Sequence, residues 1–321
     1  MKITTLIPTF IIITAIGILY DKYRSKYDPE PEKVEFDLIQ KYLLNKEGFG
    51  KNDKPIMWVF TDNELNARDW KTFGSRNSKD LNQPYIHMCI ETIIKWNGDS
   101  FNICLINSES FDKLLKDWTI DIAELPEPIK NRVIKLGLFR ILHKYGGVLM
   151  PNSMIMLKDF KSAHEEYLGV NGCYVGEFVC RSITAEMEKT FPDSKLVGCT
   201  KNNVNMKSIC SYMEKLISTD NTNETDFFGN LNRFINDLIN KYAVNKVPGN
   251  LLGTKTKECK TIIIDDLLEN SNIEMDKALF CIYLPSDEIL KRTKYSWFAR
   301  SNKIQILSSN TNVGKFFILS Y

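Results

Sequence analysis

Between Leu136 and Phe160 the chain reads LGLFRILHKYGGVLMPNSMIMLKDF, and no other stretch limits its fold so sharply. A helical run ends at Tyr145 and meets Gly146-Gly147, a pair that permits positive φ and stops a helix. Val148 to Met150 then reads as a short buried strand, and Pro151-Asn152-Ser153 as a polar turn behind it. Helix, glycine stop, buried strand and polar turn make one unit of an α/β layer, in which the turns at strand carboxyl ends hold ligands.

The same alternation runs through the rest of the chain from Pro55 onward. Strands are expected at Ile56 to Thr61, Phe101 to Ile106, Val148 to Met150, Tyr174 to Cys180, Thr261 to Ile264 and Leu279 to Tyr283. Helices are expected at Pro84 to Trp96, Phe111 to Trp118, Glu127 to Lys144, Met206 to Ile217 and Phe227 to Tyr242. A mixed sheet covered by helices follows, occupying residues 55–321 as one large domain.

Residues Ile3 to Tyr20 carry no charged side chain, and as a helix they would span roughly 27 Å, close to a bilayer core. A transmembrane anchor over residues 1–20 is the natural reading. A cleaved signal peptide would lack a basic start beyond Lys2 and a clear small-residue cleavage site, and a core helix would not be followed by so polar a segment. Residues 21–54 read as a stalk with one amphipathic helix at Phe36 to Leu44. Lys22, Arg24 and Lys26 lean the main domain toward the cytoplasmic side. The eight cysteines form no CxxC and sit mostly in apolar runs, as free buried thiols do. With 42 basic against 40 acidic residues and no long block of one sign, no nucleic-acid partner is expected.

The run R-x-L-x-x-Y-G-G, strand, three-residue turn, I-x-L-K resembles the glycosyltransferases that carry a DXD sugar-binding motif, of the mannosyltransferase and capsular polysaccharide synthesis type. Leu142, Tyr145, Gly146, Gly147, Val148, Ile155, Leu157 and Lys158 match it, closely over Arg132 to Phe160 and more loosely from Pro55. The resemblance implies a GT-A-like, Rossmann-like nucleotide-diphospho-sugar transferase fold. It also implies a nucleotide-sugar donor, a glycan or protein acceptor, and retention at the anomeric carbon.

The departures fall on the residues that do the family's chemistry. Its two turn aspartates align with Pro151 and Ser153, its helix aspartate with Lys135, and its helix arginine with Leu138. Mg²⁺ and Mn²⁺ want charged oxygen ligands, whereas Asn152 and Ser153 offer neutral ones, so no metal cofactor is expected. Arg and Lys side chains can instead stabilise a departing phosphate. Arg68, Arg76, Arg140 and Lys144 are the cations in segments near the expected cleft, and Asn152 or Ser153 would bind sugar hydroxyls.

Three further patches could touch a ligand. The run Asn63 to Trp70 and Ser75 to Ser78, with Asn66, Arg68 and Arg76, follows the first strand, where doubly wound sheets build ligand loops; helix capping is its plainer role. Asp265-Asp266 is the best surviving carboxylate pair, or else the cap of a helix at Leu267. Trp297, in a strip interleaving bases with aromatics, would stack on a base or sugar, or else close the core edge. His87, His143 and His164 have no metal-ligand spacing, and no GxSxG, Walker A or GxGxxG occurs.

Two functions follow. One is a membrane-anchored glycosyltransferase working without the usual metal. The other is a catalytically silent, membrane-tethered module of the same fold, for example a virion component. Converging Arg and Asn groups in an open cleft favour the first, and a cleft filled by Met150, Met154 and Met156 favours the second.

Overall fold

The computed structural model describes residues 54–61, 83–219 and 223–321. The apolar run Ile3 to Tyr20, the helix expected at Phe36 to Leu44, and the loop bearing Asn66, Arg68 and Arg76 lie outside them. Among the described residues no helix is long and apolar enough to cross a membrane.

The strands are β1 (Ile56–Phe60), β2 (Asn102–Ile106), β3 (Gly147–Met150), β4 (Met154–Met156), β5 (Cys173–Val179), β6 (Thr190–Cys199), β7 (Asn245–Val247) and β8 (Cys281–Tyr283). Six of them form one mixed sheet in the order β2-β1-β3-β6-β5-β7, and β4 pairs with β8 in a second, two-stranded sheet. β1 runs parallel to β2 and β3, and β5 parallel to β7, while β6 is antiparallel to both β3 and β5. Every strand of the main sheet except β6 therefore points one way, and their carboxyl ends share one edge.

Both sheet faces are dry, which is why β1 reads IMWVF without polar alternation. Trp58, Ile106, Leu149, Val175 and Val197 face a core shared with α3 (Ile129–Tyr145), α5 (Val204–Thr219) and α6 (Glu224–Asn240). Met57, Val59, Val148, Met150 and Tyr174 face the other way and are equally buried. On that side α4 (Lys161–Leu168) brings His164 Nδ1 to 2.8 Å from the Tyr174 hydroxyl. The helix α1 (Pro84–Asn97) is stitched to β4 by Thr92, whose hydroxyl accepts from Met156 N at 2.9 Å.

Several elements depart from the sequence reading: β4, β7 and α4 were not expected, the helix expected at Phe111 to Trp118 ends at Leu114, and two further departures have a local cause. Thr261 to Ile264 is not a strand: Thr261 makes an isolated bridge to Lys255, and Ile264 opens the helix α7 (Ile264–Leu268). The Asp266 carboxylate accepts the Ile263 N–H at 2.9 Å, and acidic groups in a first turn favour a helix there. The ten-residue strand β6 was not among those expected; it carries Pro192 and Asp193, residue types depleted in strand interiors. Pro192 is accommodated opposite Glu177, and the register jumps from Val175↔Val197 to Gly176↔Asp193, so Ser194, Lys195 and Leu196 form a bulge.

The glycine pair is demanded by packing. Gly147 has φ +99 and a Cβ there would lie 2.1 Å from Ile56 O; Gly146 has φ +75 and its carbonyl accepts from Trp58 Nε1 at 2.9 Å. Both lie at the amino ends of β1 and β3.

Candidate functional site

From β1 the chain passes to β2 on one side and later to β3 on the other, so the strand order reverses between β1 and β3. Open α/β sheets bind ligands at the carboxyl ends of the strands flanking such a reversal. Asn152 stands there, in the turn leaving β3, and its Nδ2 donates 3.0 Å to the carbonyl of Phe60, the last residue of β1. Ser153 is 1% exposed, and its carbonyl accepts from Leu284 N at 2.9 Å, tying the turn to the segment after β8.

Along the same edge lies a cavity of about 50 Å³ lined by Phe178, Arg181, Lys195, Thr254, Tyr283 and Glu288, among others. Only β6 separates β3 from β5, so the Asn152 turn and the end of β5 stand two strand spacings apart, roughly 10 Å. The space, partly open to solvent, holds a few waters, less than the several hundred Å³ of a typical ligand pocket.

Charge concentrates at this cavity. Glu288, in the helix α8 (Ser286–Lys291), is 5% exposed and pairs with Arg181 through one oxygen and with Arg292 at 2.9 Å through the other. Lys195 holds Asp193 at 2.6 Å within the bulge. On the far side of β5, burial pushes the Glu177 carboxyl up, but Lys255 at 2.8 Å, the Gly249 N–H at 2.9 Å and Lys246 pull it below its ordinary value. That anchor fixes the loop that carries Gly253 and Thr254 onto the cavity wall, and Thr254 donates to Glu177 O at 2.9 Å. Lys135 of α3 feels the same charges. Burial, opposed by Asp193 and Asp287 and reinforced by Lys195, lowers its ammonium to about 8.

The residues picked from sequence scatter. Asn152 and Ser153 sit at the carboxyl edge, whereas Gly146 and Gly147 sit at the opposite edge. Arg140 lies in the helical layer, paired with Glu214 at 2.8 Å and set over the Trp118 ring; Lys144 donates to Leu114 O at 2.7 Å. Asp265 stands in the first turn of α7, its carboxyl held below the ordinary value by the Lys294 ammonium bonded to it, with Arg292 3.9 Å away. Arg292 thereby links Asp265 to Glu288 and the cavity. Trp297, in the helix α9 (Ser296–Arg300), is 47% exposed and stands edge-on to Phe298. Met150, Met154 and Met156 are all buried. Arg181, Lys195 and Glu288 escaped the sequence reading, although Arg181 directly follows the strand expected at Tyr174 to Cys180.

No known protein family matches the sequence, and no curated protein does. Among solved structures the chain is similar to one titled PaToxG Glycosyltransferase, at 17% identity and a TM-score of 0.34, over 59% of this chain and 73% of that one. So shallow a likeness decides neither fold nor chemistry.

Pro151, Asn152 and Ser153 offer neutral oxygens only, and Asp193, Asp265 and Glu288 are each already engaged by Lys or Arg. No group of three His, Cys, Asp or Glu side chains arranged to hold a metal occurs among the described residues.

Proposed function

We propose that the chain is a glycosyltransferase-like protein that binds a nucleotide-sugar donor at the carboxyl ends of β1 and β3, for transfer to a glycan or protein acceptor. The observation that carries this reading is Asn152, which bridges the turn after β3 to Phe60 at the strand-order reversal. The segment that delivers it there is the one that resembles the DXD glycosyltransferases.

In this reading Arg181 and Lys195 take the role of the divalent cation. Guanidinium and ammonium groups stabilise the charge that grows on a departing diphosphate without needing carboxylate ligands of their own. The Asn152 amide donates to Phe60, so its oxygen is the side free to accept from a sugar hydroxyl. Ile3 to Tyr20 would tether the protein to a membrane.

One observation favours the second reading, a silent module of this architecture: the cavity is only about 50 Å³, and Met150, Met154 and Met156 are packed away from solvent. Calorimetric titration of the full chain in detergent with a panel of nucleotide-sugars, with chelator and then with Mn²⁺, separates the two. Binding of one donor unaffected by chelator supports transfer. Absence of binding by every donor at millimolar concentration moves the assignment to the silent module.

A further inference from the structure

We propose that Glu288 is a built-in anion occupying a phosphate-type site formed by Arg181 and Arg292, so that an incoming phosphate or diphosphate must displace it. The proposal rests on the reading above for the identity of the natural anion, a donor diphosphate, but not for the existence of the site.

The Glu288 carboxylate lies between two guanidinium groups. Glu288 enters from α8 with its side chain 6% exposed, and its two carboxylate oxygens each face a different guanidinium, Arg181 on one side and Arg292 on the other. Both arginines are far more open than the group they hold, with side chains 44% and 54% exposed. Solvent therefore reaches the cations from outside while the carboxylate plugs them from inside. Asp287 and Asp193 also act on Arg181 from nearby, but neither is ion-paired to it, and Arg292 has Asp265 at 3.9 Å as its other carboxylate. Lys195 lines the same cavity and brings a third cation to it.

A guanidinium donates to a carboxylate oxygen and to a phosphate oxygen alike, so a phosphate oxygen competes for the positions that Glu288 now holds. Competition sets the affinity. A buried carboxylate stripped of its cations is strongly disfavoured, so an anion binds only as well as Glu288 can be moved aside. Replacing the charge while keeping the shape removes that penalty and leaves both arginines free for the anion. No bond is made or broken; the step is an exchange of ion-pair partners.

The test is isothermal calorimetry of inorganic diphosphate and inorganic phosphate with the full chain in detergent, comparing wild type with Glu288→Gln. The expected result is at least a tenfold gain in diphosphate affinity for the variant, lost again when Arg181→Ala is added. Glu288→Asp, which keeps the charge but shortens its reach, gives a smaller gain and supplies the answer where Glu288→Gln does not fold. Equal or weaker binding by the folded variants overturns the proposal. Nucleotide-sugar titrations run in parallel keep the two assignments apart. Donor binding with no diphosphate gain sinks the plug alone, and a diphosphate gain without donor binding sinks the transferase reading alone.

Discussion

The Asn152 side-chain amide spans the gap between two neighbouring parallel strands, donating 3.0 Å to the Phe60 carbonyl at the end of β1 from the turn that leaves β3. One short polar side chain thus both closes a backbone acceptor and marks the place where the strand order reverses.

Asn152→Ala removes that bond and is expected to cost about 1 kcal/mol in urea unfolding, the net worth of an ordinary hydrogen bond. Asn152→Asp sets a carboxylate against the Phe60 carbonyl and should cost more, about 2 kcal/mol. If Asn152 also contacts the donor, both variants weaken nucleotide-sugar binding at least tenfold while folded. Unchanged affinity would remove Asn152 from the site.

Gly147 answers to packing alone. With φ +99 and a Cβ position 2.1 Å from Ile56 O, Gly147→Ala forces backbone apart at the amino ends of β1 and β3. A loss of at least about 3 kcal/mol, or no folded protein, is expected. A variant as stable as wild type, read by thermal unfolding, would show that the strands tolerate separation there.

His164 should govern the acid limb of stability. Burial lowers its pKa from 6.5 to about 4, so the folded state holds it neutral where the unfolded chain protonates it. Between those values the unfolded state binds more protons, and stability rises with pH. Stability is therefore full above the ordinary value and lost as pH falls toward 4, by roughly 3 kcal/mol in total at 1.36 kcal/mol per unit. Urea midpoints measured from pH 7 to 4 should fall steeply in wild type and less so in His164→Gln. Parallel slopes would exclude His164 as the cause.

Lys135 is a charged group that the fold holds at a cost. Its pKa of about 8 means that the half-buried ammonium is held less favourably in the folded chain than in the unfolded one. Lys135→Met keeps the stem and removes the charge, and is expected to raise stability by about 1–3 kcal/mol at pH 7. The gain should shrink as pH rises above 8, where the wild-type side chain is already neutral in the folded state. A destabilised variant would mean that Lys135 is held by attraction to Asp193 and Asp287 after all.

Much of the layer architecture was legible because it is written in local patterns. The runs at Ile56, Pro84, Asn102, Ile129, Gly147, Cys173, Val204 and Glu224 combine apolar spacing with glycine, proline or asparagine punctuation, and each forms the expected element within a few residues. β6 was not among the expected strands; it carries Pro192 and Asp193, residue types depleted in strand interiors, and its bulge forms against β5, a partner that is not local. Thr261 to Ile264 failed as a strand because Asp266 caps a helix at its end. At the site, Asn152 and Ser153 were found through their place after a strand. Arg140 was drawn in by proximity along the chain, yet its helix turns it toward Glu214.

The sequence by itself determined the alternation of strands and helices, the glycine stop before β3 and the neutral turn behind it, since these rest on side-chain size, backbone freedom and spacing. Only the tertiary structure decided that β6 opposes its neighbours and that the glycine pair and Asn152 occupy opposite edges of the sheet. It alone gathered Arg181, Lys195, Glu288 and Arg292 from distant segments around one cavity. The reason is physical: periodicity tells which face of an element is buried, but strand order and direction determine which ends meet, and charge chemistry depends on what meets there.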